Sequence, residues 1–152
     1  MFQALSNNYI LCVSLLSWLA AQICKTILNF ILCGELNWER MFGAGGMPSA
    51  HSALVCSLTI ATARQYGLSS PFFAIVFVLA AIVMYDAMGV RRAAGEQAKI
   101  LNQLLDSWMQ DEMDLGPLKN GKRLKELLGH TPFEVLSGAL LGILIAMLFP
   151  IK

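Results

Sequence analysis

Gly45-Gly46-Met47-Pro48-Ser49-Ala50-His51-Ser52 is a polar, glycine-led stretch between two long apolar runs, and the chain is organised around it. Proline is tolerated at the first position of a helix, where its missing N–H would lack a partner anyway. Pro48 is therefore expected to open a helix, with Gly45 and Gly46 leading in. The first-turn N–H groups of such a helix have no intrahelical acceptors, and the peptide dipoles add partial positive charge. That combination suits an anion. Ser49 adds a hydroxyl, and His51 can donate a hydrogen bond or move a proton. A well-made helix start with an incidental histidine explains the same residues, so the flanking sequence has to decide.

On both sides the chain is built for lipid. Of its 152 residues, 57% are hydrophobic and 14% charged, and mean hydropathy is +0.61. The charges cluster and leave long uncharged runs, a membrane-protein pattern rather than that of a soluble domain. The length suits a single domain, 1–152. The first run, 9–33, carries one charge, Lys25; the second, 50–63, closes at Arg64. The third, 71–85, ends at Asp86 or continues through Gly89, and the fourth, 135–150, is uncharged. Crossing about 30 Å of hydrocarbon takes about 20 mainly apolar residues. The first and third runs meet that; the second and fourth are short, either re-entrant or completed by polar residues inside the bundle. The expected fold is all-α: a small polytopic bundle of about four transmembrane helices. Residues 1–8 hold no positive side chain and the run after them is long, so a retained span is expected rather than a cleaved signal peptide.

Cys12, Cys24, Cys33 and Cys56 lie in apolar runs without metal-type spacing and read as small hydrophobes. A net charge of +1 and no basic, aromatic-laced stripe give no reason to expect a nucleic-acid partner. No cofactor is expected, and homo-oligomerisation is left open. With four crossings, the first and third connections share a side. They carry Lys25 at the edge, Arg40, Arg91, Arg92, Lys99, Lys119, Lys122, Arg123 and Lys125, against Arg64 and Lys152 opposite. The excess of Lys and Arg makes that side cytoplasmic, and every candidate reactive residue lies near it.

In the first run Gln22 and Lys25 share a helix face. A lysine within a span is a functional candidate, although snorkelling to a headgroup explains it equally well. Glu35, Trp38, Glu39 and Arg40 suit an interfacial connection. The third run passes into Tyr85-Asp86-Ala87-Met88-Gly89-Val90-Arg91-Arg92-Ala93-Ala94-Gly95-Glu96-Gln97-Ala98-Lys99 with its helical period continuing. That places Tyr85, Gly89, Arg92 and Glu96 on one stripe and Asp86, Val90, Ala93 and Gln97 on the next. Ala87, Gly89, Ala93, Ala94 and Gly95 admit a close neighbour. The two arginines suit a topogenic anchor or a fork onto phosphate oxygens. Residues 101–115 continue as an acidic amphipathic segment that breaks at Gly116-Pro117 and Asn120-Gly121. In Lys125-Glu126-Leu127-Leu128-Gly129-His130-Thr131-Pro132-Phe133-Glu134-Val135, Thr131 and Glu134 form a capping box with Pro132 at the first helical position. The cap leaves His130 unexplained, and it does not forbid Glu134 from holding the His130 ring N–H, which would fix its tautomer.

These stretches together resemble the divergent branch of the type 2 phosphatidic acid phosphatase (PAP2) superfamily, related to acid phosphatases and vanadium-dependent haloperoxidases. The matching residues are Gln22 and Lys25, the 45–53 stretch, Tyr85-Asp86-Ala87 with Gly89-Val90-Arg91-Arg92 and Gly95-Glu96-Gln97-Ala98, and 128–135. The resemblance implies a metal-free phosphate site. By position, Lys25 and Ser49 would bind phosphate; Arg91 or Arg92, which lie far upstream of the family's arginine position, are expected to neutralise its oxygens, with Gln22, Asp86 and Gln97 in support. His130 would be the nucleophile, His51 the acid for the leaving oxygen, and Glu134 would stand where the wider family has Asp. The chain departs from the wider pattern in three ways: no Arg-Pro follows Lys25, Ala50 replaces Gly, and no arginine precedes His130 at the usual interval.

The implied activity is that of a metal-independent lipid-phosphate phosphatase in a bacterial inner membrane, working through a phosphohistidine at the cytoplasmic face. Phosphatidylglycerophosphate, phosphatidic acid or a polyprenyl diphosphate would be the substrate. The competing reading is a non-catalytic phosphate-headgroup binder or scaffold with the same fold. A metal site on His51 and His130 is a thin ligand set and the weakest reading.

Overall fold

The computed structural model describes residues 7–34, 46–110, 124 and 129–151. Gly45, the 35–40 connection, Asp111, Glu112, Asp114, the Gly116-Pro117 and Asn120-Gly121 breaks, and Lys119, Lys122, Arg123 and 125–128 lie outside them.

Each helix begins and ends on local signals. Helix α1 (Tyr9–Cys33) starts after Asn8, whose side chain accepts the Leu11 N–H, and ends at Gly34 in the left-handed region. Helix α2 (Ala50–Tyr66) is capped by Ser49. Helix α3 (Pro71–Met88) has Ser70 as its cap and proline at the first position. Helix α4 (Val90–Gln110) follows after a single residue, Gly89. Helix α5 (Pro132–Leu148) opens on the expected capping box of Thr131 and Glu134.

The bundle is turned outward in polarity. Tyr9–Ile31 and the run Pro71–Ser107 are long and apolar enough to cross a membrane, and Pro132–Leu148 is apolar but shorter. Large side chains face outward along them: Leu15, Leu19 and Ile27 on α1, Ile75, Val78 and Ile82 on α3, Leu140, Leu144 and Met147 on α5. Water would not tolerate so continuous an apolar surface, whereas lipid matches it.

Helix α2 is the interior element, packed against α1, α3 and α5. It explains how a short, moderately polar run serves here, because its hydroxyls are buried and mostly satisfied locally. Thr59 and Thr62 donate to the carbonyls of Val55 and Leu58 at 2.7 Å, and Ser57 to that of Leu54 at 2.9 Å. Its contact with α5 is backbone to backbone. A Cβ on Gly138 would run into the Ser49 carbonyl oxygen, and one on Gly142 into that of Ala53. Four-residue spacing puts each pair on one face, so two backbones meet along a row of small residues. Ala146, one turn on, is fully buried in a cluster with Ala61, Val13 and Tyr9.

Two details differ from the expectation. Pro48 precedes the helix instead of opening it; Ser49 is the cap and Ala50 the first helical residue. The cause is tertiary, since the Ser49 N–H donates to the Glu134 carbonyl at 3.0 Å and so starts α2 beside α5. The helical period also does not run unbroken past Tyr85. Gly89 adopts φ −100° and ψ −91°, separating α3 from α4. Of the small residues in that region, Ala87 and Gly95 are buried, while Ala93 and Ala94 are exposed.

Candidate functional site

Three chain segments converge beside the C-terminal half of α1: the start of α2, the start of α5 and the α3–α4 junction. Two glycines make the convergence possible. Gly46 has φ +90°, and a Cβ there would lie 3.0 Å from Lys25 Cε, so the lead-in to α2 rests on the lysine stem. Gly129 also has φ +90°, and a Cβ there would overlap the backbone of Arg91 and Arg92. Side chains at either position would be strained in both respects. The next residue, His130, donates its backbone N–H to the Ala87 carbonyl at 3.0 Å. These contacts bring Lys25, the 46–52 stretch, His130 and Arg91 into one neighbourhood.

Lys25 and His130 are 8% and 7% exposed, unusual for such side chains. The Nδ1 atom of His130 is buried with no hydrogen-bond partner. Buried polar atoms in native proteins nearly always have one, so this atom calls for an explanation. Burial is the main influence on the imidazole and pushes its pKa below the ordinary histidine value. The Glu134 carboxylate opposes that shift, while Lys25, His51 and Arg91 reinforce it. The ring is therefore held neutral near pH 7.

The other candidates fall in distinct places. His51 is exposed in the first turn of α2. Ser49 is wholly buried, and its Oγ accepts from the Ser52 hydroxyl at 3.0 Å and the Ser52 N–H at 3.4 Å. Glu134 Oε2 accepts the Thr131 N–H at 2.9 Å, so this carboxylate caps α5 while its charge reaches His130 and Lys25. Arg91 Nε donates to Asp86 Oδ2 at 2.7 Å, and Arg92 Nε to Glu96 Oε1 at 3.1 Å. Arg92 is not among the charges felt at His130. Gln22 has a buried, unpartnered Oε1 one turn from Lys25, while Gln97 is exposed on α4. Among the described residues, no three His, Cys, Asp or Glu side chains are grouped to hold a metal ion.

Residue-type reasoning overlooked Gly129, Gly138 and Gly142 as builders of the site. The last two carry a signal, the G-x-x-x-G spacing of close helix pairs, set inside an apolar run. Gly129 has no comparable local signature.

The sequence profile of the Divergent PAP2 family matches residues 6–145. The uncharacterized membrane protein YuiD of Bacillus subtilis (strain 168) is 41% identical over an alignment of 149 residues that covers 94% of each chain. No solved structure matches.

Proposed function

The chain belongs to the Divergent PAP2 family of membrane proteins, and from that premise and the surroundings of His130 we propose that it is a lipid-phosphate phosphatase. The observation that carries this reading is the buried, neutral imidazole of His130, with an unpartnered Nδ1, beside Lys25 and Arg91. A neutral imidazole among cations attracts a phosphoryl dianion and is itself nucleophilic.

In the proposed reaction the phosphoryl group docks between the start of α2, Lys25 and Arg91. A ring nitrogen of His130 bonds to phosphorus as the ester P–O bond breaks. Protonated His51 gives its proton to the departing oxygen, releasing the lipid alcohol from a phosphomonoester or the lipid monophosphate from a diphosphate. The Glu134 charge offsets the positive charge that develops on His130. Water then attacks the phosphohistidine, neutral His51 takes a proton from it, and inorganic phosphate leaves with His130 restored. Ser49 contributes by fixing the start of α2. Arg91 is preferred to Arg92 because its charge reaches His130.

We place the site at the cytoplasmic face of a four-crossing bundle, which suits phosphatidylglycerophosphate, phosphatidic acid or a polyprenyl diphosphate made inside the cell. A cysteine at Asn120, in a cysteine-free background, should be shielded from an impermeant thiol reagent in intact cells; labelling there would reverse the orientation. The second reading, a non-catalytic headgroup binder, is favoured by the missing arginine motifs: no Arg-Pro follows Lys25 and no arginine precedes His130 at the usual interval. Phosphate release from a panel of lipid phosphates by purified protein, with and without EDTA, separates the readings. Chelator-resistant release inhibited by vanadate supports the phosphatase. Binding without release supports the headgroup binder, and activity restored only by added metal supports neither.

A further inference from the structure

Asp86 and Arg91 stand five residues apart. On an unbroken helix that spacing turns two side chains about 140° away from each other, and the pairs that meet are three or four apart. Yet Arg91 Nε donates to Asp86 Oδ2 at 2.7 Å. The interruption at Gly89 makes this contact possible. The same interruption serves His130, because the Ala87 carbonyl, whose helical donor would be the Arg91 N–H, accepts the N–H of His130. Gly129 then lies flush against the backbone of Arg91 and Arg92. A single broken turn thus sets Arg91 against Asp86 and gives the His130 backbone N–H its acceptor. Arg92, one residue further, makes an ordinary i,i+4 pair with Glu96 and takes no part.

The edge by which Arg91 is held matters. A guanidinium carries five N–H groups in a rigid plane, and its Nη1–Nη2 edge forms a fork separate from Nε. Asp86 engages Nε, which fixes the plane and leaves the fork as the recognition edge for two phosphate oxygens. The carboxylate is about as close as such a bond allows, and both side chains remain about half exposed, at 54% and 40%, so a ligand can reach them.

We propose that Asp86 is a positioning residue for phosphate recognition, gripping Arg91 by Nε across the break at Gly89 and presenting its Nη edge to the phosphoryl group at His130. This rests on the phosphate-site reading above. Asp86 touches no substrate and acts only through Arg91.

The test is a double-mutant cycle on orthovanadate binding by the full chain in detergent, measured by titration calorimetry. Asp86→Ala and Arg91→Ala should each weaken binding about tenfold, roughly the loss of one charge-assisted contact. The double variant should be no weaker than the poorer single, because coupled residues fail to add. Asp86→Asn keeps an acceptor for Nε and should stay within about threefold of the parent protein. It also covers the case in which Asp86→Ala fails to fold. Thermal midpoints without ligand should be the same for the parent and Asp86→Asn. Additive losses, tighter binding in Asp86→Ala, or an Asp86→Asn as weak as Arg91→Ala would overturn the inference alone. Failure of the parent protein to bind either orthovanadate or inorganic phosphate would remove the phosphate-site reading beneath it.

Discussion

At one end of the bundle, Arg64 donates through Nη1 to Tyr9 Oη, to the Phe149 carbonyl and to the Ala146 carbonyl, tying the start of α1 to the ends of α2 and α5. At the other end, the charges of Lys25 and Arg91 reach His130, whose Nδ1 is buried without a partner. The first cation is consumed by the fold it sits in, closing the last carbonyls of α5. The second group of cations acts on a ring with a polar atom that the fold leaves unanswered. Charge at a helix end is therefore not evidence of a site by itself; an unanswered atom in its midst is. An open cleft at the Arg64 end, lined in part by Asn8, Tyr9, Gln65 and Tyr66, contains no such atom among its described lining residues.

The comparison can be broken in four places. The largest expected effect is that of His130→Ala, which should lower turnover by about 10⁴-fold or more and abolish any phosphoenzyme, with little change in thermal midpoint. An active His130→Ala carrying phosphate on His51 would swap the two roles. Next comes His51→Ala, which should cost about 10²–10⁴-fold on an alkyl phosphate. It should cost much less on a nitrophenyl ester, whose leaving group needs little protonation. Equal losses on both substrates would remove the general-acid role.

Arg64→Ala should have the opposite profile. It should lower stability by about 2 kcal/mol, the scale of a lost charge-assisted hydrogen bond, and leave orthovanadate binding unchanged. Weaker orthovanadate binding in that variant would mean that the two ends are not separate. The smallest effect concerns pH. His130 titrates below the ordinary histidine value of about 6.5, so kcat/KM should hold through pH 6.5 and fall only at lower pH. Stability should follow the same group. Between the depressed pKa and about 6.5 the unfolded chain binds more protons, so acidification through that window destabilises the fold, by at most one proton's worth of slope. His130→Gln should flatten this part of the stability profile; an unchanged profile would assign the acid sensitivity elsewhere.

Much of this was legible in the residues alone. The bounds of α1 follow from an apolar run with one charge, and the start of α5 from Thr131, Pro132 and Glu134, because caps and hydropathy are local. Grouping Lys25, His51 and His130 rests on motif resemblance; in the fold the charges of Lys25 and His51 act on the His130 ring. What escaped was set by tertiary contacts. Pro48 looked like a first helical residue until Glu134 took the Ser49 N–H and fixed the start of α2 one residue after Ser49. The stripes drawn through Tyr85 and Asp86 assumed a regular ladder. Gly89, tolerable inside a helix by propensity, breaks that ladder where His130 docks.

The contact of Gly138 and Gly142 with the backbone of Ser49 and Ala53 also bears on how the protein meets its bilayer. Spans respond to hydrocarbon thickness by tilting, each according to its own length. Helices joined backbone to backbone cannot tilt independently, so α2 and α5 should lean as one body and carry Ser49 and Glu134 with them. The distance between the two helix starts would then be insulated from membrane thickness, while α1 and α3 absorb the mismatch. In vesicles of short- or long-chain lipids, orthovanadate affinity should stay constant for the parent protein. Gly138→Ala, which wedges the pair apart, should make that affinity depend on chain length. A thickness-sensitive parent protein would show that the paired helices do not move as one body.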